Sequence, residues 1–308
     1  MDSKLYLAVE IGGTKLQVAL GTGGGLIVQR WRAEVRRELG GEGIREQLSR
    51  IFPEALKGPG VQSVGVGFGG PVDWAAGKIC CSHQIPGWLD FPLGDWIRDL
   101  AGVDAFIDND ANVAALGEAL KGAGRGENPV FYITLGSGVG GGLVDQGRIF
   151  HGAKPGESEI GHVRLDRAGT IVESRCSGWA VDRRIREAIQ RHPESLLTDL
   201  CRGSARGEAR HLARAVMAGD ALGCRILKET VDDLAFALSH VIHLMHPSVV
   251  VVGGGLSLLG PPLRDALAEA LPVHVMEAMH PVPDVRLAEL GEDSVPVGAL
   301  LLAAQRHG

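Results

Sequence analysis

Apolar residues fall into short runs of strand length, and the first three runs are separated by glycines. "LYLAVEI" (5–11), "LQVALGT" (16–22) and "LIVQRWRAEV" (26–35) read as consecutive strands. The period then changes. "GIREQLSRIFPEALK" (43–57) spaces its apolar positions as an amphipathic helix, with Pro53 placed to bend or divide it. "VQSVGVGF" (61–68) returns to a strand, a loop runs to about residue 91, and a helix is predicted near 93–100. "DAFIDND" (104–110) is a short strand leading into the helix "ANVAALGEALKG" (111–122).

The pattern then restarts. "PVFYITLGSGVGGGLVDQGRIF" (129–150) again reads strand, glycine turn, strand, turn, strand, offset by about 125 residues from the first copy. A repeat at that distance points to a duplicated α/β domain rather than a solenoid. The remainder is mostly helical, with helices predicted at 179–191, 204–218 and 221–246, the last ending before Pro247. "SVVVVGG" (248–254) is a buried-strand pattern running into a third glycine turn, and "VPVGALLLAAQ" (295–305) is a helix expected to pack back on the first half.

Composition adds exclusions. With 308 residues, 45% hydrophobic and 22% charged, the chain fits one large domain or two ordinary ones with a real core. A net charge of −6 offers no basic footprint for nucleic acid or an acidic membrane. No apolar run reaches transmembrane length, and the start "MDSKLYLAVE" lacks the pattern of a signal peptide, so a cytoplasmic protein is expected. Five cysteines without a C-x-x-C pair read as reduced thiols.

The 45 glycines are about twice the usual share and concentrate at "VEIGGTK" (9–15), "LGSGVGGG" (135–142) and "VVVGGGLS" (250–257). Glycine lets backbone N–H groups approach an anion without a Cβ in the way. None of the three turns is a Walker A or a G-x-G-x-x-G helix start; two sit inside hairpins, which suits gripping a polyphosphate. "IDNDANVAALGEA" (107–119) delivers Asp108, Asn109 and Asp110 to a helix start. Two readings stand side by side: Asp110 or Asn109 caps the helix, or Asp110 is a general base facing a phosphate site.

In order and spacing these motifs resemble the ROK family of sugar kinases, within the hexokinase–actin ATPase superfamily. The resemblance adds "GGPVD" (69–73), "IPGW" (85–88) and "EIGH" (159–162), and spans almost the whole chain. It implies a two-domain actin-like, ribonuclease H-like α/β fold with a substrate cleft between the domains. The smaller would hold residues 1–112 and the C-terminal helix 293–308, the larger 113–292. By matched position, Asp110 would be the catalytic base. Asn109, Gly70, Gln84, Glu159 and His162 would bind the sugar. Glu10, Gly12, Gly13, Thr14, Lys15, Gly136, Ser137 and Gly138 would serve the phosphates, with Gly254 and Gly255 bordering the adenosine. ATP and Mg²⁺ are the implied cofactors, and a homodimer the implied assembly.

Four departures qualify the resemblance. Glu10 stands where the family has aspartate, one methylene longer towards the metal. The family's zinc loop after "EIGH" is reduced to His162 and Cys176, too few ligands for a structural site, so no zinc is expected; Trp179 and Val181 are expected to order that loop by packing. Gly178 takes the place of a second sugar-binding glutamate, with Glu173 a weak substitute. Gln84 replaces an asparagine, beside His83, which reads as a surface residue. His240, His243 and His246 read as a histidine-rich helix end rather than a metal site.

The expected activity is ATP-dependent transfer of phosphate to the 6-hydroxyl of a hexose, glucose first. Alternatives are fructose, N-acetylglucosamine or N-acetylmannosamine as acceptor, or a non-catalytic sugar-sensing regulator. The family's repressors carry a DNA-binding segment before the first phosphate motif, whereas eight residues precede "VEIGGTK" here.

Overall fold

A computed structural model describes residues 4–58, 60–82, 84–154, 156, 158–204 and 206–307. His83 lies outside them. The chain opens with β1 (Leu5–Ile11), β2 (Lys15–Thr22) and β3 (Ile27–Glu34), then α1 (Gly40–Ala55), β4 (Val61–Phe68), β5 (Val72–Asp73) and β6 (Lys78–Ile79). Next come α2 (Leu93–Ala101), β7 (Ala105–Asn109), α3 (Asp110–Lys121), β8 (Val130–Leu135), β9 (Val139–Asp145) and β10 (Arg148–Ile149). The helices α4 (Val172–Cys176), α5 (Gly178–Ile189), α6 (Leu196–Cys201), α7 (Leu212–Met217) and α8 (Ala221–Met245) follow. β11 (Val249–Gly253), α9 (Pro261–His274), β12 (Asp284–Leu287) and α10 (Ser294–His307) close the chain.

The first sheet has the order β3-β2-β1-β4-β7 and the second β10-β9-β8-β11-β12. The orders match strand for strand: a three-stranded meander whose first strand is followed, outward, by two crossover strands. β1–β4 and β4–β7 are parallel, as are β8–β11 and β11–β12. The echo in the sequence is therefore a repeat of topology.

Two compact units result: residues 1–126, 142–158 and 289–308, and residues 127–141 and 159–288. In the first, Leu7, Val9, Val18, Val64 and Val66 from the sheet form the core with Ile44, Leu48 and Phe52 of α1 and Ile97 of α2. α10 packs on β1, β4 and α3. That approach requires glycine: a Cβ on Gly65 would overlap the carbonyl of Ala299, and one on Gly298 the carbonyl of Val113. This packing is why α3 belongs to the first unit, whereas a boundary at 112 was expected from sequence. In the second unit β11 is wholly buried, and α8 packs against α9.

Other sequence expectations change in detail. Pro53 neither divides nor ends α1, because it sits in the last turn, where only one hydrogen bond is forgone. The helix expected at 204–218 shrinks to a 3-10 turn at Glu208–His211 and α7, since Gly207 before it and Gly219 after it adopt φ of 78° and 75°. Trp179 is 55% exposed rather than packed, while Val181 is buried; α5 turns Ala180, Val181 and Ile185 inward, and Trp179 lies off that face. His243 accepts a hydrogen bond from the Met276 amide at 3.1 Å, and His246 caps α8 with φ of 43°.

Candidate active site

In each unit, glycine turns follow the first and fourth strands of the shared topology. In the first unit these are residues 12–14 after β1 and residues 69–70 after β4. Gly12 N–H donates to the Lys15 carbonyl at 2.9 Å and Gly69 N–H to the Ile11 carbonyl at 2.9 Å, which ties the two turns together. Asp110 joins them from α3. A Cβ on Gly69 would lie 3.2 Å from Asp110 Oδ2 and 3.7 Å from Gly12 Cα, which places that carboxylate oxygen close against Gly69.

The cap of α3 falls to the neighbour of Asp110. Asn109 is the cap of α3: its Oδ1 accepts from the amides of Ala111 at 2.8 Å and Asn112 at 3.4 Å. Its Nδ2 donates to the Gly70 carbonyl at 3.2 Å, so much of the amide expected to face a sugar is spent on the fold. Asp110 is the first helical residue, with its side chain outside the capping bonds. Asp108 is buried. Its Oδ1 accepts from the Asn109 amide at 2.9 Å and Asn112 Nδ2 at 3.0 Å, and its Oδ2 sits 2.7 Å from His151 Nε2.

Glu10 and Gln17 face each other across β1 and β2, joined by a bond from Gln17 Nε2 to Glu10 Oε2. Lys15 Nζ lies 3.6 Å from the same carboxylate and 3.9 Å from Glu292. Burial pushes the Glu10 carboxyl above its usual value of 4.5, and the Gln17 bond and the Lys15 charge offset that only in part. Gln84, expected on the sugar side, lies over the phosphate turn: a Cβ on Gly13 would overlap its Oε1. Arg37, which sequence reasoning missed, holds both, donating from Nε to the Gly13 carbonyl at 2.9 Å and from Nη2 to Gln84 Oε1 at 3.4 Å.

The second unit repeats the arrangement. Residues 136–138 join β8 to β9, and Gly254 follows β11 with φ of 79°, packed so that a Cβ would lie 2.6 Å from Leu135 backbone atoms. The turn expected at adenosine thus abuts the second phosphate turn. Glu173 braces that turn: its Oε2 accepts from the Val139 amide at 3.0 Å. Gly178, at the N-terminus of α5, donates to the Gly136 carbonyl at 2.8 Å, and a Cβ there would lie 2.9 Å from that oxygen. Ser137 is exposed, and so are Glu159 and His162 at either end of a 3-10 turn. Cys176 is buried, 3.7 Å from the Thr230 carbonyl, its thiol pushed up to about 12 by burial and by Asp233. Among the described residues no three His, Cys, Asp or Glu side chains gather as a metal site. No helix among them is long and apolar enough to cross a membrane.

A model of the ROK family matches residues 6–306. The chain belongs to the ROK family. It is 31% identical to a glucokinase of Thermotoga maritima over 316 aligned positions, covering all of both chains. The crystal structure of a ROK family glucokinase from Streptomyces griseus, in complex with glucose and AMPPNP, superposes with a TM-score of 0.85 at 30% identity, covering 98% of this chain and 99% of that one. The bifunctional enzyme NanE/NanK of Brucella melitensis is 31% identical over 98% of this chain and 54% of its own length. The fold is the actin-like ATPase fold of the ROK sugar kinases.

Proposed function

We propose that this ROK protein is an ATP-dependent sugar kinase that phosphorylates the 6-hydroxyl of glucose. The observation that carries the reading is Asp110: capping is done by Asn109, and the Asp110 carboxylate lies beside Gly69, whose N–H is tied to the residue before the first phosphate turn. The glucokinases above support the choice of sugar.

On this reading the Asp110 carboxylate takes the proton of the sugar hydroxyl as its oxygen bonds to the γ-phosphorus. The bond from that phosphorus to the bridging oxygen breaks, and ADP leaves with the electron pair. Backbone N–H groups of Gly12–Thr14 and Gly136–Gly138 are suited to orient the phosphates, and Gly254 with Gly255 to border the nucleoside. Exposed Glu159 and His162 are available to sugar hydroxyls, and Arg37 holds Gln84 and Gly13 in register.

Magnesium fits the donors at the first turn. It takes oxygen ligands, commonly one carboxylate with phosphate oxygens and water. Glu10 supplies a desolvated carboxylate there, and Gln17 Oε1 beside it is buried without a partner. Bound there, Mg²⁺ would supply positive charge to neutralise the phosphate oxygens.

A coupled ADP-release assay tests the proposal, with Mg-ATP and a panel of glucose, mannose, fructose, N-acetylglucosamine and N-acetylmannosamine. Glucose should give the highest kcat/KM, with glucose 6-phosphate as product. Preference for N-acetylmannosamine would reassign the substrate. Absence of turnover with every sugar would leave a sensor rather than an enzyme.

A further inference from the structure

We propose that His151 is a positioning residue for phosphoryl transfer, acting through Asp108 on the strand-to-helix turn that presents Asp110. The inference rests on Asp110 being the base.

Asp108 and Asp110 flank the cap residue Asn109. Asp108 is only 2% exposed, and both of its oxygens are engaged. An ionised carboxylate only accepts hydrogen bonds, so each neighbour must donate. His151 therefore carries a proton on Nε2, and Asn112 presents its NH₂ group. The unpartnered Asn112 Oδ1 is what that orientation leaves behind. Asp108 Oδ1 thus grips the cap residue and the first turn of α3, while Oδ2 depends on His151.

His151 is itself held. Its ring stacks on Trp74 with centroids 4.2 Å apart and planes inclined by 20°. The Arg306 guanidinium lies 5.0 Å from the Trp74 ring centre, and Lys154 pairs with Asp73 at 3.3 Å. Trp74 follows the loop whose Gly70 carbonyl receives Asn109 Nδ2. The same few residues therefore fix the turn from two sides: Asp108 from the strand and Gly70 from the loop. Without a donor at position 151, the buried Asp108 carboxylate must find another partner. The groups within its reach are the backbone and side chains that set the direction of Asp110. A misplacement of about 1 Å at a reacting group costs on the order of 10²-fold in rate.

Two variants separate the hydrogen bond from the packing. His151→Phe keeps an aromatic ring on Trp74 and loses the donor; His151→Gln loses the ring and keeps a donor near the Nε2 position. Steady-state kinetics would be measured for both, alone and combined with Asp110→Asn, with circular dichroism to check folding. We expect His151→Phe to lower kcat by about 10- to 100-fold with the KM for ATP nearly unchanged, and His151→Gln to restore most of it. In the Asp110→Asn background His151→Phe should cost little more, because there is no base left to misplace. Near-normal kcat in His151→Phe, or an equal loss in both backgrounds, overturns the proposal. Should His151→Phe not fold, a ten-fold or greater loss in His151→Gln overturns it. Near-normal turnover of Asp110→Asn alone overturns the base assignment and this proposal together.

Discussion

Replacing Glu118 by glutamine changes one oxygen of a buried side chain, and the structure allows the consequence to be worked out. Glu118 is fully buried in α3. Its Oε2 accepts from the amides of Ala123 at 3.0 Å and Glu289 at 3.1 Å. Its Oε1 accepts from the Leu290 amide at 2.9 Å and the Ser294 hydroxyl at 2.8 Å. The carboxylate therefore binds the end of α3 to the segment that opens α10. A glutamine must place its NH₂ where one oxygen was, facing two donors. At Oε2 both are backbone amides, which cannot turn away. At Oε1 the Ser294 hydroxyl can turn towards the Gly291 carbonyl, 2.9 Å away, so only the Leu290 N–H is orphaned. That position is the cheaper one. One buried unpaired N–H costs about 1–3 kcal/mol, and the remaining bonds lose their charge assistance, so about 2–4 kcal/mol is expected in all. Glu118→Ala orphans three amides and should cost more. Urea unfolding gives the loss, and amide hydrogen exchange locates it: Ala123, Glu289 and Leu290 should exchange about 30- to 1000-fold faster, at 1.36 kcal/mol per tenfold. A loss below about 0.5 kcal/mol with unchanged exchange at these amides would show that the Glu118 carboxylate does not hold them.

Three further outcomes are expected. Burial raises the Glu10 carboxyl above 4.5, so between 4.5 and the raised value the folded chain holds more protons than the unfolded one, and stability falls as pH rises through that window. Glu10→Gln should therefore be at least as stable as the parent at pH 7 by urea unfolding while needing more Mg²⁺ for half-maximal rate; lower stability with an unchanged Mg²⁺ requirement would contradict this. Cys176, buried and with its thiol raised to about 12, should resist iodoacetamide at pH 8 until the protein unfolds, while exposed Cys224 reacts in the folded state. Early modification of Cys176, read by peptide mass, would count against the packing described. A structural zinc site needs four ligands, and no three His, Cys, Asp or Glu side chains gather among the described residues, so protein purified without added metal should carry well under one zinc per chain by elemental analysis.

The glycine turns, the repeat and the Asp-Asn-Asp segment were legible in the sequence because each is local: a strand, a turn and a helix start within a dozen residues. The residues that brace the site were not. Arg37 reaches Gly13 across 24 positions, Glu173 reaches Val139 across 34, and His151 reaches Asp108 across 43. Glu118 reaches Leu290 across 172. Such pairs are made by tertiary packing and leave no spacing signature. α9 and β12 also went unread; within α9, Pro272 interrupts the helical signal. Which residue caps α3 needed coordinates, because Asn109 and Asp110 are equally good caps by composition, and only the bonds to Ala111 and Asn112 assign the task to Asn109.

Turnover of Asp110→Asn is the most direct test of Asp110 as the base. The substitution keeps the size of the side chain and the Asn109 cap while removing the proton acceptor. With glucose and Mg-ATP saturating, kcat should fall by about 10²- to 10⁴-fold, with unfolding and ATP binding close to those of the parent. Turnover within a few-fold of the parent would show that Asp110 does not take the proton, and the proposed mechanism would be wrong.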